Sequence, residues 1–179
     1  MSLNINKESS PHWYLLYTNP RAEKKVELEL NIKGYEVFLP MHKTLRQWSD
    51  RKKWVEEPLF KSYIFIFTEL EKNYYDIINI HGVVKFVNFQ KTPAIVDPRE
   101  IELVKLMMGN IEDLEAISYG ELAEPGDSVE VIAGPLIGTR GTMLKHSGKS
   151  RMIIQLHSIQ QSLSLTLPVE YLRKVEVLG

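Results

Sequence analysis

Five histidines and 23 carboxylates, with no cysteine, are the side chains best suited to ligate a metal ion or move a proton, and their spacing gives them nothing to do together. His12, His42, His81, His146 and His157 stand singly, and none forms the closely spaced pair that a metal site needs. No Gly-x-Ser-x-Gly elbow, Walker loop or Gly-x-Gly-x-x-Gly fingerprint occurs. An enzyme, a metal site and an organic cofactor are therefore not expected. The lack of thiols removes disulfide and thiolate chemistry and fits a reducing compartment.

The residues that do carry a pattern are aromatic and basic. In Pro58–Phe67 (PLFKSYIFIF), alternation puts Tyr63, Phe65 and Phe67 on one side of a strand and Ile64 and Ile66 on the other. Either both sides pack into a core, or one stays partly open as an apolar pocket for a partner. Upstream, Arg46, Arg51, Lys52 and Lys53 interleave with Trp48 and Trp54. That cluster reads as a solvated hairpin, or as a hairpin that touches DNA or protein.

The elements that would position these residues fall into two groups. His12–Thr18, Tyr35–Pro40, Lys61–Thr68 and Val83–Phe89 read as strands. Asn19 and Pro20 predict a helix start, with Ala22, Val26 and Leu30 on its apolar side and Gly34 as its stop. Asn73–His81 reads as a helix ended by Gly82. Asp97 and Glu100 stand in capping-box positions before a helix bearing Ile101, Val104 and Met108. The order β-α-β-β-α-β plus a terminal helix predicts an α+β, ferredoxin-like antiparallel sheet. Further on the period is two: Ser128–Ala133, Gly141–Lys145, Met152–His157 and Ser162–Leu167, with Gly148-Lys149 as a hairpin turn. Short strands so closely spaced predict a small β-barrel of SH3-like size.

Charge divides the chain at the same place. Residues 11–110 hold 15 Lys and Arg against 13 Asp and Glu, residues 111–124 hold five acids and no base, and residues 125–179 hold six bases against four acids. The expected organisation is a first domain over 11–110, an acidic linker over 111–124 and a second domain over 125–179. The net charge of −1 advertises no broad attraction to nucleic acid. Met1–Ser10 is polar, with no apolar core of signal-peptide length, and no stretch has the length of a membrane span, so a cytoplasmic chain is expected.

Several of these segments together carry a resemblance. Gly126, Asp127, Gly134, Pro135, Gly138 and Gly141 follow the opening of a KOW motif. Trp13–Tyr17, then Glu57-Pro58-Leu59-Phe60 with Tyr63-Ile64-Phe65, then Gly82-Val83-Val84 with Phe86-Val87, then Pro93-Ala94-Ile95-Val96 resemble the N-terminal domain of NusG-type transcription elongation factors. Together they look most like the specialised paralogues, RfaH and the UpxY proteins of capsular polysaccharide operons, and Arg46–Trp54 is similar to the UpxY group in particular. The resemblance runs from Pro11 to nearly the end of the chain.

It implies a factor that binds RNA polymerase through the clamp helices of the largest subunit and reaches the opposing lobe. The matching pocket positions are Tyr17, Phe60, Tyr63, Phe65, Phe86 and Ile101. Asn73, Tyr74 and Tyr75 stand where the specialised members carry a His-Thr-Thr motif for the second contact. Arg21, Lys24, Lys25, His81 and Lys85 match the face that meets the non-template DNA strand, where cations hold phosphates. A solvated helix face, eased by Glu27 and Glu29, is the other reading of the first three. The resemblance also implies a KOW domain that recruits the ribosome or Rho. Leu136-Ile137 and Ser158–Gln161 replace aromatic anchors there, which argues against Rho. The function implied is a monomeric, operon-specific antitermination factor, with polysaccharide biosynthesis as the operon class. Its rivals are a housekeeping elongation factor and an RNA- or ribosome-binding KOW protein without polymerase affinity.

Overall fold

Trp13–Leu16 and Ile64–Ile66 are unbroken apolar runs buried on both sides, so these segments must be inner strands. In the computed structural model, which describes residues 10–47, 51–110, 114–118, 126–146, 149–157 and 161–175, they are the two central ones. The first strands and helices are β1 (His12–Thr18), α1 (Glu23–Ile32), β2 (Glu36–Phe38), β3 (Met41–Gln47), β4 (Lys52–Pro58), β5 (Tyr63–Thr68), α2 (Leu70–Ile78) and β6 (Val83–Phe86). After them come the short β7 (Asn88–Phe89), β8 (Thr92–Pro93) and β9 (Ile95–Val96), and then α3 (Pro98–Asn110). The sheet order is β2-β5-β1-β6, with β9 also paired to β1 and every pairing antiparallel. This is the ferredoxin-like α+β arrangement expected from the element order. β3 and β4 are a hairpin inserted between two of its strands. Of the basic-aromatic cluster, Trp48, Ser49 and Asp50 lie outside the described residues.

One side of the sheet is sealed by helices. Tyr14, Leu16, Ile64, Ile66 and Phe86 pack with Val26 and Leu30 of α1 and Ile77 of α2 in one buried cluster. Val26 and Leu30 lie one turn apart, which is the spacing that built the helix expectation. Each such side chain contributes about 1.5–3 kcal/mol by leaving water. Gly34 closes α1 as expected, with Tyr35 N donating to Leu30 O at 3.1 Å.

Two helix limits differ from the sequence reading. α1 starts at Glu23 rather than after Asn19, because Arg21 takes a left-handed φ of 66° and interrupts any earlier turn. α2 runs from Leu70 to Ile78 and ends before Gly82, whose φ of 100° belongs to the turn into β6. A side chain at Gly82 would press on Val26 and Ala22, so glycine lets this turn lie against the start of α1. Asp97 caps α3 as expected, its Oδ1 accepting from Arg99 N at 2.9 Å.

The described chain divides into two compact units, Met1–Ile101 and Glu102–Gly179. In the second, β10 (Glu115–Ser118), β11 (Asp127–Val131), β12 (Arg140–His146), β13 (Lys149–Leu156), β14 (Gln161–Thr166) and β15 (Leu172–Lys174) form one antiparallel sheet in the order β10-β14-β13-β12-β11-β15. The β-rich second unit matches the expected fold class. β10 corrects one detail: four residues of the acidic stretch read as linker are a strand, with Ala116 opposite Leu163 and Ile117 opposite Ser162. The rest of that stretch, apart from Leu114, lies outside the described residues. So does Gly148 of the expected turn, although His146 pairs with Lys149 across it.

Candidate functional site

On the side of the sheet away from α1 and α2, strand register sets out a row of rings. Trp13 lies opposite Phe67, Leu15 opposite Phe65, Tyr17 opposite Tyr63 and Phe38 opposite Phe65. Trp13 meets Phe67 with ring centres 5.4 Å apart, and Phe65 is stacked on Phe38 at 5.8 Å and edge-on to Phe60 at 5.9 Å. At the far end Tyr17 meets Tyr63 at 5.4 Å, and Lys85 Nζ stands 6.0 Å from the Tyr17 ring centre. Such ring pairs add about 0.5–1.5 kcal/mol each beyond burial.

Of the expected pocket residues, register brings Tyr17, Phe60, Tyr63 and Phe65 together here. Phe65 is only 1% exposed, and Phe60 and Ile101 are as deeply buried. Tyr17 and Tyr63 are the half-open members. Burial pushes the Tyr63 phenol above its ordinary pKa, with Tyr17 adding to the effect. Phe86 does not belong to this row. It sits opposite Leu16, on the helix side, stacked on Tyr74 at 5.3 Å and edge-on to Tyr14 at 6.1 Å.

The expected second-contact residues also separate. Asn73 Nδ2 donates to Thr68 Oγ1 at 3.0 Å, which ties the first turn of α2 to the end of β5. Tyr74 is committed to Phe86. Tyr75, edge-on to Tyr74, is 69% exposed, while Asn73 and Tyr74 are half-buried.

Arg21, Lys24, Lys25, His81 and Lys85 are all exposed. Backbone bonds gather the segments that carry them: Thr18 N donates to Ser62 O at 2.8 Å and Asn19 N to Gly82 O at 2.9 Å. The start of α1 is therefore held between the turns that precede β5 and β6. On the β5 side lies a cleft of about 420 Å³, lined among others by Arg21, Glu23, Lys24, Arg46, Glu57 and Lys61. Arg46 grips Glu57 with two hydrogen bonds of 2.7 and 3.0 Å, which with the neighbouring cations outweigh the opposing effect of burial and hold the Glu57 carboxyl below its ordinary pKa.

Among the described residues no group of His, Asp and Glu is disposed to hold a metal ion, and no helix is long and apolar enough to cross a membrane.

Residues 11–105, which hold the sheet, the ring row and the start of α3, match the protein family described as "Transcription termination factor nusG". The chain belongs to the NusG family. It is similar to the transcription termination/antitermination protein NusG of Rickettsia bellii (strain RML369-C), at 26% identity over 151 residues, covering 79% of this chain and 77% of that one. Its fold is similar to that of Thermotoga maritima NusG from a structure concerned with domain interaction, at 21% identity and a TM-score of 0.60, covering 93% of this chain and 98% of the other.

In this NusG-family chain the glycine-rich turn of the second unit is built as its residue types suggest. Gly134 and Gly138 have φ of 81° and 84°, and Gly138 N donates to Val131 O at 2.7 Å. Gly126 and Gly141 lie against the backbone of Met143 and Ile153, Pro135 is exposed, and Asp127 pairs with Lys174 at 2.8 Å. Of Leu136-Ile137, Leu136 is buried and Ile137 is 67% exposed. Ser158–Gln160 lie outside the described residues.

Sequence reasoning missed Phe38 and Trp13 as members of the ring row, and Glu23 as a buried acid. The first two could have been found by pairing strands in register. Nothing local marks Glu23, whose carboxylate receives a hydrogen bond from Ser62, 39 residues away.

Proposed function

We propose that this chain is an operon-specific elongation and antitermination factor that rides RNA polymerase and suppresses pausing and termination, acting at a polysaccharide biosynthesis operon. The observation that carries the reading is the NusG-family match over residues 11–105, which spans the whole ring row. Arg46–Trp54, similar to the specialised group, supports the operon-specific form. Of its described residues, Arg46 and Gln47 pair with Lys53 and Lys52, beside which Trp54 is 64% exposed.

Docking on the clamp helices uses the ring row, with Tyr17 and Tyr63 as the side chains that meet the partner and Phe60, Phe65 and Ile101 as their support. Tyr75 makes the contact with the opposing lobe. Arg21, Lys24, Lys25, His81 and Lys85 hold phosphates of the non-template strand inside the polymerase complex, because the net charge of −1 gives little pull on free duplex. Residues 11–110 act as the polymerase-binding domain. Residues 125–179 act as a KOW domain that meets the ribosome through Ile137 and its neighbours.

The test is transcript profiling of a deletion strain. Loss of the distal genes of one long operon is the expected result. A uniform change across most operons would replace this reading with the housekeeping one, and no binding to purified polymerase would replace it with that of a ribosome-associated KOW protein.

A further inference from the structure

β3 and β4 form a ribbon of only two strands, and its open face is laid out for more. Leu45 stands opposite Trp54 in register, and the two are 46% and 64% exposed. Lys43, Gln47, Lys52 and Glu56 share that face by alternation, and all four are exposed. Two strands alone bury little, and a sheet that stands in water takes three or more. Among the described residues, Lys52–Pro58 pairs only with β3. The other edge of β4 therefore offers its N–H and C=O groups to a further strand.

The charges along β4 say which strand. Arg51, Lys52 and Lys53 precede Trp54, and Glu56 and Glu57 follow Val55. A strand that is basic before its centre and acidic after it complements a second copy of itself run antiparallel. Two-fold symmetry sets a residue and its copy on one face, so the pairing must be centred on a residue. Centred on Trp54, it sets Trp54 against its copy, and Lys52 against the copy's Glu56 on both sides. Centred on Val55, it would set Trp54 against Glu56, and Lys52 against Pro58, which has no N–H. Centred on Lys53, it would oppose two like charges. Glu57 is held by Arg46 and adds nothing to any of these.

We propose that two copies of the free chain join edge to edge along β4, centred on Trp54, into a four-stranded sheet. One row then crosses all four strands: Leu45, Trp54, the second copy's Trp54 and the second copy's Leu45. In the next row Glu56 lies between its own Lys43 and the second copy's Lys52. The contact is a narrow strip, so the dimer is weak and dissociates on dilution. It replaces the monomer implied by the resemblance with a monomer–dimer equilibrium.

The test is sedimentation equilibrium of the full chain from about 1 µM to about 1 mM, with circular dichroism to show that each variant is folded. A monomer–dimer equilibrium is expected within that range. Lys52→Glu and Glu56→Lys should each weaken it at least about tenfold, because each turns both symmetry-related pairs into like charges. Trp54→Ala should weaken it as well. The double variant Lys52→Glu with Glu56→Lys restores opposite charges across the edge and should regain dimerisation. It still sets a lysine opposite Lys43, so its recovery separates the contact between copies from damage within the ribbon. No self-association up to the highest concentration overturns the proposal and leaves the edge to a strand of another protein. A dimer that none of the variants alters overturns the β4 interface, and loss without recovery in the double variant overturns the register.

Discussion

Tyr74 and Tyr75 are adjacent and chemically identical, and the fold gives them opposite employment. Tyr74 stacks on Phe86 in the helix-side core, whereas Tyr75 faces solvent. Tyr74→Ala should therefore lower stability by about 2 kcal/mol, read in urea unfolding, through lost packing. Tyr75→Ala should leave the unfolding curve in place and weaken only the proposed contact with the opposing polymerase lobe. If Tyr75→Ala destabilises the chain as much as Tyr74→Ala, the division of roles is wrong. The same contrast runs through the ring row. Phe65→Ala removes a fully buried ring and should cost about 3–5 kcal/mol, so it cannot serve as a docking variant. Tyr63, half-open, can. The alternation of Tyr63, Phe65 and Phe67 against Ile64 and Ile66 was legible because a strand's period is fixed. The side on which Phe86 falls was not. The β1–β6 register shifts between Tyr17 and Thr18, and an irregularity of that kind has no signature in residue type.

Between elements, Asp76 of α2 holds the end of α1. It accepts from Lys33 Nζ and from the Tyr35 hydroxyl, both at 2.7 Å. The hydrogen bond from Lys33, then that from Tyr35, keeps the Asp76 carboxyl below its ordinary pKa of 3.8. A carboxyl depressed in the folded state stabilises it above the unfolded pKa, and the contribution fades as pH falls through the folded value. Burial first, then Asp76, pushes the Tyr35 phenol from 10.0 to about 12. A phenol raised in the folded state stabilises it below pH 10, and that contribution is lost as pH climbs towards 12. Asp76→Asn should thus flatten the acid limb of a stability-versus-pH curve measured by urea unfolding, and it should bring the Tyr35 phenolate transition in an ultraviolet titration back towards 10. An unchanged acid limb would mean that the clasp does not hold in solution. Gly34, as the stop of α1, was legible in sequence. Its start differs, because Asn19-Pro20 has the composition of a helix cap while Arg21 is left-handed, and the segment just before it is held by long-range backbone bonds. One of these is the Thr18–Ser62 backbone bond.

At the scale of the whole molecule, four residues of the acidic stretch expected to be linker form β10. Five acids concealed a strand at Glu115–Ser118, since Ala116 and Ile117 are too few apolar residues to stand out of their surroundings. β10 borders β14, and its cross-strand pairs should contribute about 1 kcal/mol or more. A fragment that begins at Leu114 is therefore expected to melt higher than one that begins at Pro125, and equal melting temperatures would deny β10 a structural role. The candidate site was legible in outline, because aromatic alternation and the basic residues near α1 are local features. Its depth was not, because Glu23 and Ser62 meet only when β5 closes on β1. The account turns on one claim, that the half-open end of the ring row docks on RNA polymerase. Its most direct test is titration of purified RNA polymerase clamp helices with the intact chain and with Tyr63→Ala, circular dichroism confirming that both are folded. The account predicts saturable binding by the intact chain and a loss of about 2 kcal/mol or more in the variant. Equal affinity of the two folded proteins, or no binding by either, would contradict it.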